Sequence, residues 1–140
     1  MERRPSTLRT VGEMLYGELE AFHLAVGTLE SVYASEDGSL LVLNFSEGTG
    51  LSIGADGNTD TITLRDNPRN SSGIDVTRNE VWRDLLGVPL FWGWLTINQK
   101  GYADGALLSF RDVKPDICIT VVASSLKVAR LGAWKEITAQ

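Results

Sequence analysis

Residues 90–110 read LFWGWLTINQKGYADGALLSF, and the reading of this stretch decides the fold. Two apolar runs flank a polar knot centred on NQKG. Asn at the first turn position bonds the backbone ahead of it, and Gly at the fourth accepts a left-handed conformation. That chemistry specifies a type I turn with a G1 bulge, closing a hairpin in which Asn98 lies opposite Tyr102. Counting back with no irregularity sets Thr96 opposite Asp104, Trp94 opposite Ala106 and Trp92 opposite Leu108. Leu90, Trp92, Trp94, Ala106, Leu108 and Phe110 then share one face. Because a one-residue slip moves every side chain across the sheet, the apolar pattern is expected to set the register. Phe91, Leu95, Ile97 and Leu107 make the second face apolar as well. The hairpin therefore reads as a central pair covered on both sides. Gly105 marks a bulge or a close approach of another segment.

Outward from the hairpin, two-residue periodicity dominates. VGTLESVYA, LLVLNFS, LSIGA and TITLR, beginning at residues 26, 40, 51 and 61, read as four short strands joined by glycine turns. ICITVVAS and LKVARL, beginning at residues 117 and 126, read as two more after the hairpin. Ile62 and Leu64 should face the core, with Thr61 and Thr63 outward. DNPRNSSG, residues 66–73, has no apolar residue and reads as a surface loop between two halves of one domain spanning 1–140.

Two helices are expected. Thr10 and Glu13 have capping-box spacing ahead of a stripe of Leu8, Val11, Leu15 and Leu19. Thr77 and Glu80 repeat the spacing before Val81, Trp82, Leu85 and Leu86, with Gly87 and Pro89 as stops. The fold class expected is α+β: a mainly antiparallel sheet of about eight strands, a curved sheet or open barrel, with two short helices.

The order W82-x4-G87, W92-x-W94, then N98-Q-x-G-Y102-x-D104-G resembles a group of small bacterial proteins of unknown function. The similarity runs over roughly residues 25–130, with the hairpin as its specific part. It implies a bacterial source and a compact β-rich fold, and transfers no catalytic residue.

Charge is unevenly placed. The chain of 140 residues has a formal net charge of −5. Residues 11–60 contain Glu13, Glu18, Glu20, Glu30, Glu36, Asp37, Glu47, Asp56 and Asp60 and no Lys or Arg. Such a half opposes nucleic-acid binding, which depends on cations at phosphates, and suits a basic protein partner. No apolar run reaches the ~18 residues of a membrane helix, and no apolar segment follows the charged N-terminus. A cytoplasmic setting with no membrane is expected. The single cysteine, Cys118 in ICITVVA, reads as a buried apolar residue. With His23 the only histidine, no common zinc site is available, and no cofactor is expected.

The candidate site is the polar end of the hairpin. Trp92, Trp94, Asn98, Tyr102 and Asp104 combine aromatic walls with convergent polar groups, as small-ligand pockets do. Asp104 would be the acceptor or base and Trp94 the stacking wall, although turn chemistry alone also accounts for Asn98. Asp56, Asn58 and Asp60 begin like a calcium loop. Thr61 and Asn67 stand where an EF-hand needs Gly and an acid, so only weak cation binding is left to them. Without a catalytic constellation, the sequence favours a non-enzymatic protein-interaction module, in one form an immunity-type protein with an acidic surface. The alternative is a small-ligand-binding protein or hydrolase using the hairpin pocket. A homodimer through a strand edge or the Trp82 face is a third reading.

Overall fold

Alternating stretches form strands throughout residues 26–132, the part of the chain that the structure, a computed structural model, describes. In chain order these are β1 (Leu29–Ala34), β2 (Leu40–Phe45), β3 (Thr49–Asp56), β4 (Thr61–Pro68), β5 (Ile74–Asp75), β6 (Leu90–Ile97), β7 (Ala103–Phe110), β8 (Pro115–Val122) and β9 (Ser125–Arg130). They do not make one sheet. β4-β3-β2-β1-β5 form a five-stranded sheet and β6-β7-β8-β9 a four-stranded one, with every pairing antiparallel. An isolated bridge between Thr28 and Pro89 joins their corner.

This corrects the expected α+β class. The described residues form an all-β protein of two antiparallel sheets, and none of them is in an α-helix. The first expected helix, over Leu8 to Leu19, lies outside the described residues. The second does not form: its stretch holds only a 3-10 turn at Arg83–Leu85. The physical reason is visible at Thr77. Its hydroxyl accepts the Val32 amide at 2.9 Å and donates to the Val32 carbonyl at 3.3 Å, so it completes the edge of β1 instead of capping Glu80. Val76 N also donates to Val32 O at 2.9 Å, and Gly87 N donates to Leu29 O at 2.8 Å. The crossover from β5 to β6, residues 76–89, is thus tied to β1 at both ends. Too few residues remain between the ties to repay helix nucleation.

The core lies between the inward faces of the two sheets. Leu29, Val32, Leu43, Phe45, Leu51 and Ile53 come from one sheet, and Leu90, Leu108, Phe110, Ile117 and Ile119 from the other. Ile62 and Leu64 join them, as the alternation of TITLR requires. Trp82 and Leu85 enter from the crossover and are 2% and 1% exposed. At ~1.5–3 kcal/mol per fully buried aliphatic or aromatic side chain, this layer is the main stabilising term. No helix among the described residues is long and apolar enough to cross a membrane.

The far face of the five-stranded sheet carries a buried polar group. Asn44 is 0% exposed. Its Nδ2 donates to Ser31 Oγ at 3.1 Å and to Asn70 O at 3.0 Å, while its Oδ1 accepts Asn70 N at 3.0 Å. The loop after β4 is pinned to the sheet by these bonds. Asn44→Leu leaves the Asn70 backbone groups unpaired and is expected to cost about 1–3 kcal/mol. Urea denaturation measures the loss, and proteolysis of the 69–73 loop should accelerate with it.

Candidate functional site

The hairpin turn forms as its residues dictate. Asn98 N donates to Tyr102 O at 3.0 Å, Gly101 N donates to Asn98 O at 2.9 Å, and Gly101 sits at φ +91°. Asn98 Oδ1 accepts Lys100 N at 2.9 Å. Beyond the turn the register departs from a regular count. Ile97 pairs with Ala103, but Thr96 pairs with Gly105, so Asp104 is an extra residue on β7. Trp94 consequently faces Leu107 rather than Ala106, and Trp92 faces Ser109 rather than Leu108. A second irregularity, between Leu90 and Trp92, returns Leu90 to Phe110 and to the core.

The cause of the shift lies at Gly105. A Cβ there would stand 2.6 Å from Thr96 Oγ1 and 2.7 Å from the Ile119 carbonyl oxygen. Glycine lets the three strands close up, and the bulge absorbs the spare residue. Its effect is to put the indoles on the outward face of the four-stranded sheet. Trp92 is 39% exposed, and Trp94 is half-buried. Cross-strand pairing places Trp94, Leu107, Cys118 and Ala129 in one row, and Thr96, Gly105, Thr120 and Lys127 in the next. Cys118 is therefore half-buried on that outward face, not a core residue.

Thr96, Asn98 and Asp104 do meet. The Asp104 carboxylate accepts Thr96 Oγ1 at 3.4 Å and Asn98 Nδ2 at 3.3 Å. These are long bonds, and they leave acceptor capacity on both oxygens. Tyr102 is half-buried beside them in the chain and contributes its carbonyl to the turn. The expected pocket becomes an aromatic strip on an open sheet face, ending in a polar cluster.

Asp56, Asn58 and Asp60 occupy the β3–β4 turn. Asp56 Oδ1 accepts Asn58 N at 2.9 Å, while Asp60 Oδ1 accepts Ser124 N at 3.0 Å from the β8–β9 turn. Among the described residues no group of three or more His, Cys, Asp or Glu is placed to hold a metal ion. These residues instead tie turns together. Ser124 Oγ donates to Gly57 O at 3.2 Å, and Leu126 N donates to Gly38 O at 2.8 Å. The β1–β2, β3–β4 and β8–β9 turns thus form one connected end of the molecule, on which Glu36, Asp37 and Asp56 are exposed.

Asp37 is fixed at that end. Its Oδ1 accepts Ser39 N at 3.0 Å, Ser39 Oγ at 2.7 Å and Ser35 Oγ at 2.9 Å. The Ser39 amide, then the Ser39 and Ser35 hydroxyls, hold its carboxyl below the usual aspartate range. A folded-state value below the unfolded one gives stability that is present above the unfolded pKa and lost as pH falls through the folded one. Asp37→Asn is therefore expected to destabilise at neutral pH. The gap from wild type should close on acidification below the ordinary aspartate range, as read by thermal melts over pH 2–7 (about the span of carboxyl titration).

Two cavities lie elsewhere, neither of them expected from the sequence. One, of about 330 Å³, is apolar and is lined by Leu41, Val81, Trp82, Leu126 and Val128 among others. The other, of about 480 Å³, is charged. It lies among the crossover (Glu80, Asp84), the β7–β8 turn (Arg111 to Asp116) and the end of β9 (Arg130). Arg130 Nη1 donates to Asp84 Oδ1 at 2.6 Å, and Nη2 stands 3.8 Å from Asp116 Oδ1. The Arg130 guanidinium beside Asp84 holds that carboxyl below its usual range. Asp116 Oδ2 accepts Phe110 N at 2.7 Å, and Arg130 Nε is buried with no acceptor. Arg111 adopts φ +77°, a left-handed conformation costing a non-glycine residue roughly 1–2 kcal/mol. RDVKPD, with four charges around a turn, was the one local signal available. Its partners Glu80 and Arg130 are remote in sequence.

Residues 19–135 match DUF6334, a family of unknown function. No curated protein matches the chain, and no solved structure does.

Proposed function

The chain belongs to this family of unknown function, and on that premise we propose a non-enzymatic protein-interaction module that meets a basic protein through its acidic turn end. The mutual docking of the three turns carries the reading. Ser124 bonds both Asp60 and Gly57, and Leu126 bonds Gly38, so Glu36, Asp37 and Asp56 stand on a preformed surface. A patch ordered before binding spends less entropy on association, and complementary charge speeds encounter. An immunity-type protein that caps a basic toxin site is the form this chemistry suits.

The test is affinity capture from source-cell extract at low and high salt, with Glu36→Lys/Asp56→Lys as the control. The same basic protein should be retained by wild type at low salt, released as salt rises, and missed by the reversed variant. Equal capture by both proteins, or no basic protein at either salt, ends the reading.

A second reading rests on the Asp104 bulge, which sets Trp92 and Trp94 on the same open face as Thr96, Asn98 and Asp104. A small ligand would stack on Trp94 and hydrogen-bond to Asp104. Indole fluorescence should then shift with a metabolite extract in wild type and stay constant in Asp104→Ala; identical traces dispose of it. Trp82 is 2% exposed, so a homodimer would have to use a strand edge.

A further inference from the structure

We propose that the charged cavity between the crossover, the β7–β8 turn and the end of β9 binds a small zwitterion of the amino-acid class, its carboxylate on Arg111 and its ammonium on Glu80. The site is separate from both surfaces described above. At about 480 Å³ it is large enough for such a molecule with its solvent.

Three features of the cavity converge. Arg130 lines it and is under-satisfied: one nitrogen bonds Asp84 at 2.6 Å, one lies 3.8 Å from Asp116 beyond hydrogen-bond range, and Nε has no acceptor. Native proteins rarely leave a buried charged donor without an acceptor, and such exceptions gather where something else binds. Arg111 is the second feature. Its φ of +77° is held by Arg111 N donating to Pro89 O at 3.0 Å and Asp112 N donating to Phe110 O at 2.8 Å. Strained backbone of this kind clusters at ligand clamps, and here it sets the guanidinium on the cavity wall. The third is charge pattern. Among the described residues, neither the Arg111 nor the Glu80 side chain is engaged in a hydrogen bond or ion pair with another residue. Asp84 and Asp116 flank Arg130, and Asp112 caps Lys114 N at 3.0 Å.

The uncommitted pair is therefore one cation and one anion on different elements. A simple anion would satisfy Arg111 but approach Glu80 and Asp84; a simple cation would do the reverse. A molecule carrying both charges meets each wall with its complement. Its carboxylate can take two parallel N–H groups from Arg111, the geometry that a planar guanidinium favours.

Isothermal titration of the full chain with free amino acids tests this, with acetate and methylammonium as half-ligands. Arg111→Asn and Glu80→Gln are the variants. Asn tolerates the left-handed conformation, so Arg111→Asn should melt at or above the wild-type temperature. At least one amino acid should give saturable heat with wild type, and each variant should bind it about tenfold more weakly or worse. Neither half-ligand should reproduce the binding. The proposal is overturned if no amino acid gives saturable heat, if both variants bind as wild type does, or if acetate alone binds equally well.

Discussion

Trp82→Ala should lower the unfolding free energy by about 3–5 kcal/mol, the range for deleting a large aromatic from a core. Trp82 is 2% exposed and comes from the crossover, packing into the layer shared by the two sheets. It also lines the apolar cavity of about 330 Å³, beside Leu41 and Val128. Removing the indole joins the vacated space to that cavity, so neighbouring side chains have little to collapse onto. The upper part of the range is expected for that reason. In a domain of this size the melting temperature should fall by roughly 10–20 °C. Trp82→Phe fills much of the volume and should cost under half as much. Urea denaturation with far-UV detection measures both, and an alanine variant within about 1 kcal/mol of wild type would show that the crossover does not plug the core.

Gly105→Ala is the second large effect. The added methyl meets Thr96 Oγ1 at 2.6 Å and the Ile119 carbonyl at 2.7 Å. The threonine hydroxyl can rotate away, but the carbonyl belongs to the backbone of β8, the strand paired with β7. Relief requires the two strands to separate locally, at about 1–3 kcal/mol for overpacking. Thr96→Ala in the same chain should restore only part of the loss, because the carbonyl remains. If the double variant recovers fully, the side chain and not the backbone approach set the bulge. Near-ultraviolet dichroism should change as well, since the bulge fixes which face carries Trp92 and Trp94.

These two positions also mark where sequence reading succeeded and where it did not. Strands were legible because alternation is a local property: Leu41, Leu43 and Phe45 recur every second residue and all are buried. The turn at Asn98 was legible for the same reason, its bonds running to Lys100, Gly101, Tyr102 and Asp104, all within six residues. The register of the hairpin was not, because Gly105 is explained by Ile119 on another strand. The second helix failed on an ambiguity of period. Trp82 and Leu85 are three apart, a spacing that a 3-10 turn buries as readily as an α-helix does. Thr77 had the right type for a cap but was engaged by Val32, forty-five residues away. The split into two sheets was invisible too, since alternation says which residues face inward and not which strands share a ladder. Of the site residues, Thr96, Asn98 and Asp104 were brought together by adjacency across the turn. The cavity of Glu80, Arg111 and Arg130 required three remote segments to meet, which no spacing rule reports.

The strand order has a kinetic consequence. Apart from the two-residue β1–β5 contact, every ladder joins strands that follow each other in the chain, through short reversals. Each meander can zip from its own hairpins on the microsecond scale, with little loop-closure entropy to overcome. The slow event is then the meeting of two preassembled layers, with the indole of the crossover trapped between them. Refolding should accordingly be fast for an all-β topology.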